Sequence, residues 1–320
     1  MDESAFDLRQ YSELLDGGWT RHLIDGSHRS GQLIRVARGV YTLRENWGGE
    51  ERTQRERQHR LLTTGLLSRL GDRAAASHHS GAVLLGLPVW GVDWSIVHVT
   101  RLDDDHRRAR QGVRVHQRCP GQSTTTTADG WPVLSVADCV VGTGMGSGAR
   151  PARPISALIA ADHALRMGLT SRTELFAAAD RLRGYRGVGP VRKALLLADG
   201  RHESPGETRL AHMCHGAGLA ATPQVKLVAE GVDYRCDLLL DEAPVIVEMD
   251  GLGKYFLENS SGSADPVRAL KEEKAREDAL RRAGYGFVRV TWDELAQPIL
   301  VVRRIHRAIA AVNAAGRRSA

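Results

Sequence analysis

Residues 233–256 read DYRCDLLLDEAPVIVEMDGLGKYF, and the interpretation of this stretch decides the fold of the carboxy-terminal part of the chain. Two β-rich runs, Tyr234 to Leu240 and Val245 to Asp250, flank the turn-forming Asp241-Glu242-Ala243-Pro244, so the pair reads as an antiparallel hairpin. With the turn centred on Glu242 and Ala243, Asp237 falls directly opposite Glu248. Facing side chains sit roughly 5 Å apart at Cβ, where like charges repel, and the period of two adds Asp250 to the same face. Asp237 and Glu248 also stand in apolar runs, where an unpaired carboxylate carries a large desolvation cost. Such a cluster calls for a cation. Mg²⁺ or Mn²⁺ is the simplest, since Mg²⁺ takes oxygen ligands, commonly one or two carboxylates plus substrate phosphates.

The flanking residues extend the hairpin into a domain. Ser204-Pro205-Gly206-Glu207 carries a capping-box pattern with proline at the first helical position, and Gly218 closes that helix. A strand near Thr222 to Ala229 precedes the hairpin. A helix from about Asp265 to Ala283, a strand YGFVRVTW and a last helix follow it, giving the order α-β-β-β-α-β-α. From Pro266 to Ala320 there are twelve Lys and Arg against six Asp and Glu, which equals the whole formal charge of +6. A basic end after a carboxylate cluster points to a polyanionic partner, or, more blandly, to a solvated helix face.

That order and those acids resemble the PD-(D/E)XK nuclease superfamily, and within it the very-short-patch-repair-like branch. The likeness is carried by ETRL, YRCDLLL, VIVEMDGLGKYF, EEKAREDALRRAG and YGFVRVTW. It implies a restriction-endonuclease-like core with Glu207 as the acid of the first helix, Asp237 as a metal-binding aspartate and Glu248 as a second metal-binding acid. Asp250 occupies the position where the family has lysine. The branch places functional residues beyond the following glycine, which extends the implied site to Lys254.

At the amino terminus, Arg9 to Leu15 has helical spacing. A second helix capped by Thr20 turns Leu23 and Ile24 inward, and LIRVARGVYTL reads as a small basic hairpin around Gly39. RSGQLIRVARGVY resembles the end of the winged-helix domain of AbiEi-type antitoxins. The resemblance makes Thr20 to Ser30 a recognition helix, with Arg21, His22, His28 and Arg29 approaching DNA and Arg35 and Arg38 helping from the wing. SHHSGAVLLGLPVWG and DGWPVLSVADCVV resemble later segments of the same proteins.

Between these ends, Gln54 to Leu70 reads as an arginine-rich helix and Ala74 to Leu87 as another, followed by strands in SIVHVTR and GVRVHQR. Ser77, His78 and His79 read as a helix cap with two adjacent structural histidines. Gly142 to Pro154 reads as a surface loop by composition, and Ile155 to Ala198 as two or three helices broken at Gly168 and at Gly184 to Pro190. The expected fold class is therefore α+β and multidomain: a winged helix over 1–60, a mixed α/β domain over 61–200 and a nuclease-like domain over 201–320.

No apolar run reaches the eighteen or more residues of a membrane span, and the acidic start lacks the features of a secretory signal, so a cytoplasmic protein is expected. Cys119, Cys139, Cys214 and Cys236 lack CxxC spacing and read as buried thiols. Two readings of function compete. One is a DNA-binding protein with a Mg²⁺-dependent endonuclease domain. The other is a non-catalytic AbiEi-like regulator or antitoxin with a degenerate nuclease fold and a partner toxin.

Overall fold

The structure is a computed structural model, and it describes residues 8–48, 51–103, 111–146, 153–250 and 266–319. The architecture is α+β, with three separate sheets among the described residues. The chain divides into two compact units, Met1–Ala198 and Asp199–Ala320. None of the described helices is long and apolar enough to cross a membrane. All four cysteines are buried free thiols.

The first unit opens with strand β1 (Arg9–Gln10), helices α1 (Tyr11–Asp16) and α2 (Arg21–Arg29), and the hairpin β2 (Leu33–Ala37) and β3 (Val40–Leu43). The sheet order is β1-β3-β2. The expected helix from Arg9 is thus corrected: Arg9 and Gln10 pair with Tyr41 and Val40, and the helix starts only at Tyr11. Thr20 caps α2 through its side chain, as expected, accepting from Leu23 N at 3.2 Å. Leu23 is a second correction. It stands 49% exposed while Ile24 is fully buried, because neighbours along a helix lie 100° apart and a short helix buries one stripe. Gly39, at φ +73, makes the hairpin tip, where a side chain would be strained.

After the single-turn α3 (Arg44–Trp47), helix α4 (Glu51–Leu70) crosses residue 60 without interruption. Its Leu61 packs with Val36 and Val40, while its Leu67 packs with Ala74, Val97 and Val99. One helix therefore serves the cores on both sides of that position.

A five-stranded sheet follows, in the order β6-β5-β4-β8-β7. Its strands are β4 (Ala74–Ala76), β5 (Val97–Arg101), β6 (Val113–Gln117), β7 (Thr124–Thr126) and β8 (Pro132–Leu134), and α5 (His78–Leu84) starts two residues beyond β4. The helix expected from Ala74 is corrected here. Ala74 to Ala76 are wholly buried as the central strand, between β5 and β8, and this tertiary position overrides alanine's helical preference. Helices α6 (Val136–Met145), α7 (Pro154–Arg166), α8 (Arg172–Arg181) and α9 (Val188–Leu195) complete the unit. Gly142 to Met145, expected in a loop, form the last turn of α6. Gly142 and Gly144 are there for closeness: an added Cβ would come within 2.9 Å of the His78 ring and 2.6 Å of Ala157.

The second unit runs α10 (Pro205–Gly216), β9 (Ala221–Ala229), β10 (Val232–Leu240), β11 (Val245–Met249), α11 (Pro266–Arg282), β12 (Gly286–Val290) and α12 (Pro298–Ser319). Its sheet order is β12-β11-β10-β9, antiparallel through the first three strands in sequence and parallel between β11 and β12. Leu210 and Cys214 of α10 and Val301 and Ile305 of α12 cover one face with Leu238, Val245 and Val247. Ala279 and Leu280 of α11 cover the other with Cys236, Ile246 and Phe287.

Candidate functional site

The hairpin register brings the two central acids together. Leu238 pairs with Val247 and Leu239 with Ile246, and the next position in that register sets Asp237 against Glu248. On the other side β10 pairs with β9 in one constant register, Cys236 with Val225 and Leu238 with Pro223, which sets Gln224 across from Asp237. Glu248 in turn pairs with Arg289 of β12. One row across the sheet therefore reads Gln224, Asp237, Glu248, Arg289.

The row is locally irregular. Cys236 and Leu238 belong in a regular strand to one face, yet they join the cores on opposite faces, so the alternation breaks at Asp237. Gln224 has φ +56, an unusual value for a residue with a side chain. Such defects re-aim side chains and gather near active sites. Here they allow Asp237 Oδ2 to accept from Met249 N at 2.9 Å and Gln224 Nε2 to donate to Glu207 at 2.9 Å.

Glu207 is 3% exposed and fully engaged. Its carboxylate accepts from Ser204 Oγ at 2.8 Å and from Glu203 N at 2.8 Å in addition to Gln224. Ser204 Oγ caps α10 by accepting from Glu207 N at 3.2 Å, but the Glu207 carboxylate reaches Glu203 N and not Ser204 N, so the expected reciprocal capping box is corrected to a one-way serine cap. Glu248, 7% exposed, is paired with the Arg276 guanidinium of α11, which also donates to Arg235 O at 2.9 Å. Burial pushes the Glu248 carboxyl up to about 7, against the pull of Arg276, and Asp237 adds to the rise. Arg289 is held by Glu273 and, at 3.2 Å, by Glu277 of α11.

Asp250 lies one residue past β11, with its N donating to Val290 O at 2.8 Å. Lys254 lies outside the described residues. The cation that meets Glu248 among those described is Arg276, twenty-eight positions downstream on a helix. Nothing in the short motif around Glu248 signals it; EEKAREDALRRAG contains it as one basic residue among four.

In the first unit Arg21, His22, His28, Arg29, Arg35 and Arg38 are all exposed. His28 Nδ1 lies 3.1 Å from Leu33 O and its ring meets Tyr41 edge-on at 5.9 Å, so His28 also ties α2 to its hairpin. Arg29 folds back to donate to Asp25 O at 3.3 Å. Arg38 shares a groove of about 680 Å³ with Arg69, Arg73 and Arg101.

Ser77 takes the cap position of α5, but its hydroxyl caps no backbone N–H and instead meets His78 Nδ1 at 3.1 Å, which corrects its reading as a side-chain cap. His78 and His79 gather with His59, His98 and His116, whose rings stack or touch edge-on. His98 and His116 were legible only as strand residues. The signal that joins them is the inward alternation of β5 and β6, which needs the pairing of those strands to be known.

No family model matches the chain. It is similar to two curated relatives from Mycobacterium tuberculosis, "Uncharacterized protein MT2308" of strain CDC 1551 / Oshkosh and "Uncharacterized protein Rv2248" of strain ATCC 25618 / H37Rv. Each is 27% identical over 309 residues, spanning 93% of this chain and 100% of the relative. A solved structure, "Crystal structure of RV2827C protein from Mycobacterium tuberculosis", overlaps 64% of this chain and 75% of its own at 14% identity and a TM-score of 0.36.

Proposed function

We propose that the chain is a DNA-binding protein whose second unit hydrolyses phosphodiester bonds with Mg²⁺ or Mn²⁺. The observation that carries this reading is the opposition of Asp237 and Glu248 on neighbouring strands of a unit built α-β-β-β-α-β, with buried Glu207 tied to the same row through Gln224. The donors suit a hard cation, since Mg²⁺ is bound through one or two carboxylates with water and phosphate completing its shell. Asp237 and Glu248 would hold the ion, which when bound supplies an activated water and neutralises charge on the phosphate.

The chain's own residues do the rest. Glu207, fixed by three hydrogen bonds, orients Gln224 toward the acids. In this reading Arg276, which meets Glu248, takes the part of the family lysine, and its guanidinium suits charge developing on a phosphate. The nucleic-acid reader in this reading is residues 8–48, a winged helix with α2 as recognition helix and Arg35 and Arg38 on the wing. Its support is the exposure of all six basic side chains on the helix and hairpin. This protein works in the cytoplasm.

A second reading is favoured by the Arg276–Glu248 pair itself. An acid already neutralised by a protein cation has less need of a metal, which fits a non-catalytic, AbiEi-like regulator or antitoxin that docks a partner toxin. The deciding experiment incubates the protein with plasmid and single-stranded DNA in Mg²⁺ or Mn²⁺, beside Asp237→Asn, and melts both with and without the ions. Cleavage and an ion-dependent rise in melting temperature, both lost in the variant, are expected. An uncut substrate, a melt indifferent to either ion and a variant that melts lower would establish the second reading instead.

A further inference from the structure

The first unit holds a cluster of donors that the proposed hydrolase chemistry does not use. His78 follows β4 at the start of α5, His98 lies on β5 and His116 on β6. These three strands are adjacent in the sheet. Because Thr100 pairs with His116 and strand residues two apart share a face, His98 and His116 project from the same side. Ser77 N donates to His98 O at 3.1 Å, which brings the start of α5 onto that side. One ring nitrogen from each of the three lies within 4.8 Å of the other two, and His98 Nδ1 is 2.9 Å from His116 Nε2.

Several features look built for this gathering. His78 has φ +53, a strained value for a residue with a Cβ, and such strain persists where the surroundings over-determine it. Gly142 leaves the space its ring occupies. Ser77 engages His78 Nδ1 at 3.1 Å, which leaves Nε2 for another partner. Ser80 Oγ accepts from His98 N at 2.8 Å and lies 2.8 Å from His59 Nε2, while His59 Nδ1 faces Trp94 O at 2.9 Å. That chain of bonds fixes the backbone of the central ligand. His98 is 2% exposed, and its Nε2 is buried with no hydrogen-bond partner among the described residues. His98 also lines a cavity of about 40 Å³ with Asp93, Thr143 and Arg153, which has room for a water molecule.

Buried imidazoles that crowd their nitrogens together need a shared proton or a cation between them. We infer that His78, His98 and His116 bind one borderline divalent cation, Zn²⁺ by the chemistry of the donors, with water in the fourth position. Three nitrogens and no carboxylate among the ligands favour Zn²⁺ over Mg²⁺. Zn–N bonds of about 2.0–2.1 Å set tetrahedral nitrogens roughly 3.3 Å apart. The close pair would therefore open slightly and the widest close by at most about 1.5 Å, with the His78 and His116 rings turning from their stacked arrangement at 3.8 Å and 18°. The ion would tie together the start of α5, β5 and β6, and its site is independent of the acids of the second unit.

The test uses the full chain, stripped with chelator and given Zn²⁺ or Co²⁺ alone. One equivalent of Co²⁺ should bind with the intense visible bands of tetrahedral coordination and be displaced by Zn²⁺, and X-ray absorption of the Zn²⁺ form should count three imidazoles. Binding should be lost in His116→Gln, the half-exposed and better tolerated change, and in His98→Gln, and kept in Asp237→Asn. Wild-type protein that takes up neither ion, an absorption spectrum without three imidazoles, or binding that survives in both folded histidine variants would overturn the inference. The cluster would then be a hydrogen-bonded imidazole stack. The absorption measurement stands on the wild type alone, so a variant that fails to fold does not decide the outcome.

Discussion

Arg276 shows how much one side chain changes the reading of a site. It contributes the charge that the strand motif lacks, from a helix packed on the opposite side of the sheet from α10. Removing one partner of a buried pair leaves the other uncompensated. In urea melts, Arg276→Ala and Glu248→Gln should each destabilise the protein, and the double variant should lose less than their sum, with a coupling of about 1–3 kcal/mol. The lower part of that range is expected because Arg276 is 29% exposed. His59 gives a second prediction of defined sign. It is fully buried and held neutral, its pKa lowered by burial against the pull of Trp94 O and Asp93. The stability it supports is present above an ordinary imidazole pKa and is lost as pH falls from there toward the depressed folded value. The loss should be seen as a smaller pH dependence of stability in His59→Gln between pH 7.5 and 5.5.

Helices carry glycines for opposite reasons in this chain, and the two make a paired test. Gly26 in α2 has nothing within 4 Å of where a Cβ would stand, so Gly26→Ala should stabilise by about 1 kcal/mol from helix propensity alone. Gly142 in α6 has the same propensity to gain, but its Cβ would meet the His78 ring at 2.9 Å and the His78 backbone at 3.1 Å. Overpacking of this kind costs about 1–3 kcal/mol, so Gly142→Ala should be destabilising in the same urea series. The contrast also explains what the sequence could and could not disclose. Element order in the second unit was legible because caps, turns and apolar periodicity are local, and the turn at Glu242-Ala243 set the register of β10 against β11. The Ala74 to Ala76 strand was not, since only its burial between β5 and β8 distinguishes it from helix. The same holds for the histidine cluster, whose members are thirty-eight residues apart from His78 to His116 and meet only through sheet pairing. Among the acids, Glu207, Asp237 and Glu248 were legible by type and spacing, while Arg276 was hidden in a helix of ordinary charge pattern.

At the scale of the molecule, the boundary between Ala198 and Asp199 separates the exposed amino-terminal arginines and the histidine cluster from the acid row. Fragments 1–198 and 199–320 should each unfold cooperatively in calorimetry, and the ion response of the acid row should reside in the second alone. A cut at residue 60 should behave differently. It falls inside α4 and strips Leu61 from its partners Val36 and Val40, so fragment 61–198 should melt well below fragment 1–198. Failure of both natural fragments to fold would show that the units depend on each other.

The turn at Glu230 and Gly231, with φ +52 and +76, joins β9 and β10 by the tightest route a hairpin allows, and β11 returns after a four-residue turn. Contacts so close along the chain form early, whereas the parallel partner β12 and helix α11 meet β11 across a wide sequence separation. In this order of events the two central carboxylates should meet before Arg276 arrives, and their repulsion should raise the folding barrier. Added salt should speed refolding of the second unit while leaving its unfolding rate nearly constant, and Arg276→Ala should act chiefly by speeding unfolding, as stopped-flow chevrons of fragment 199–320 would register.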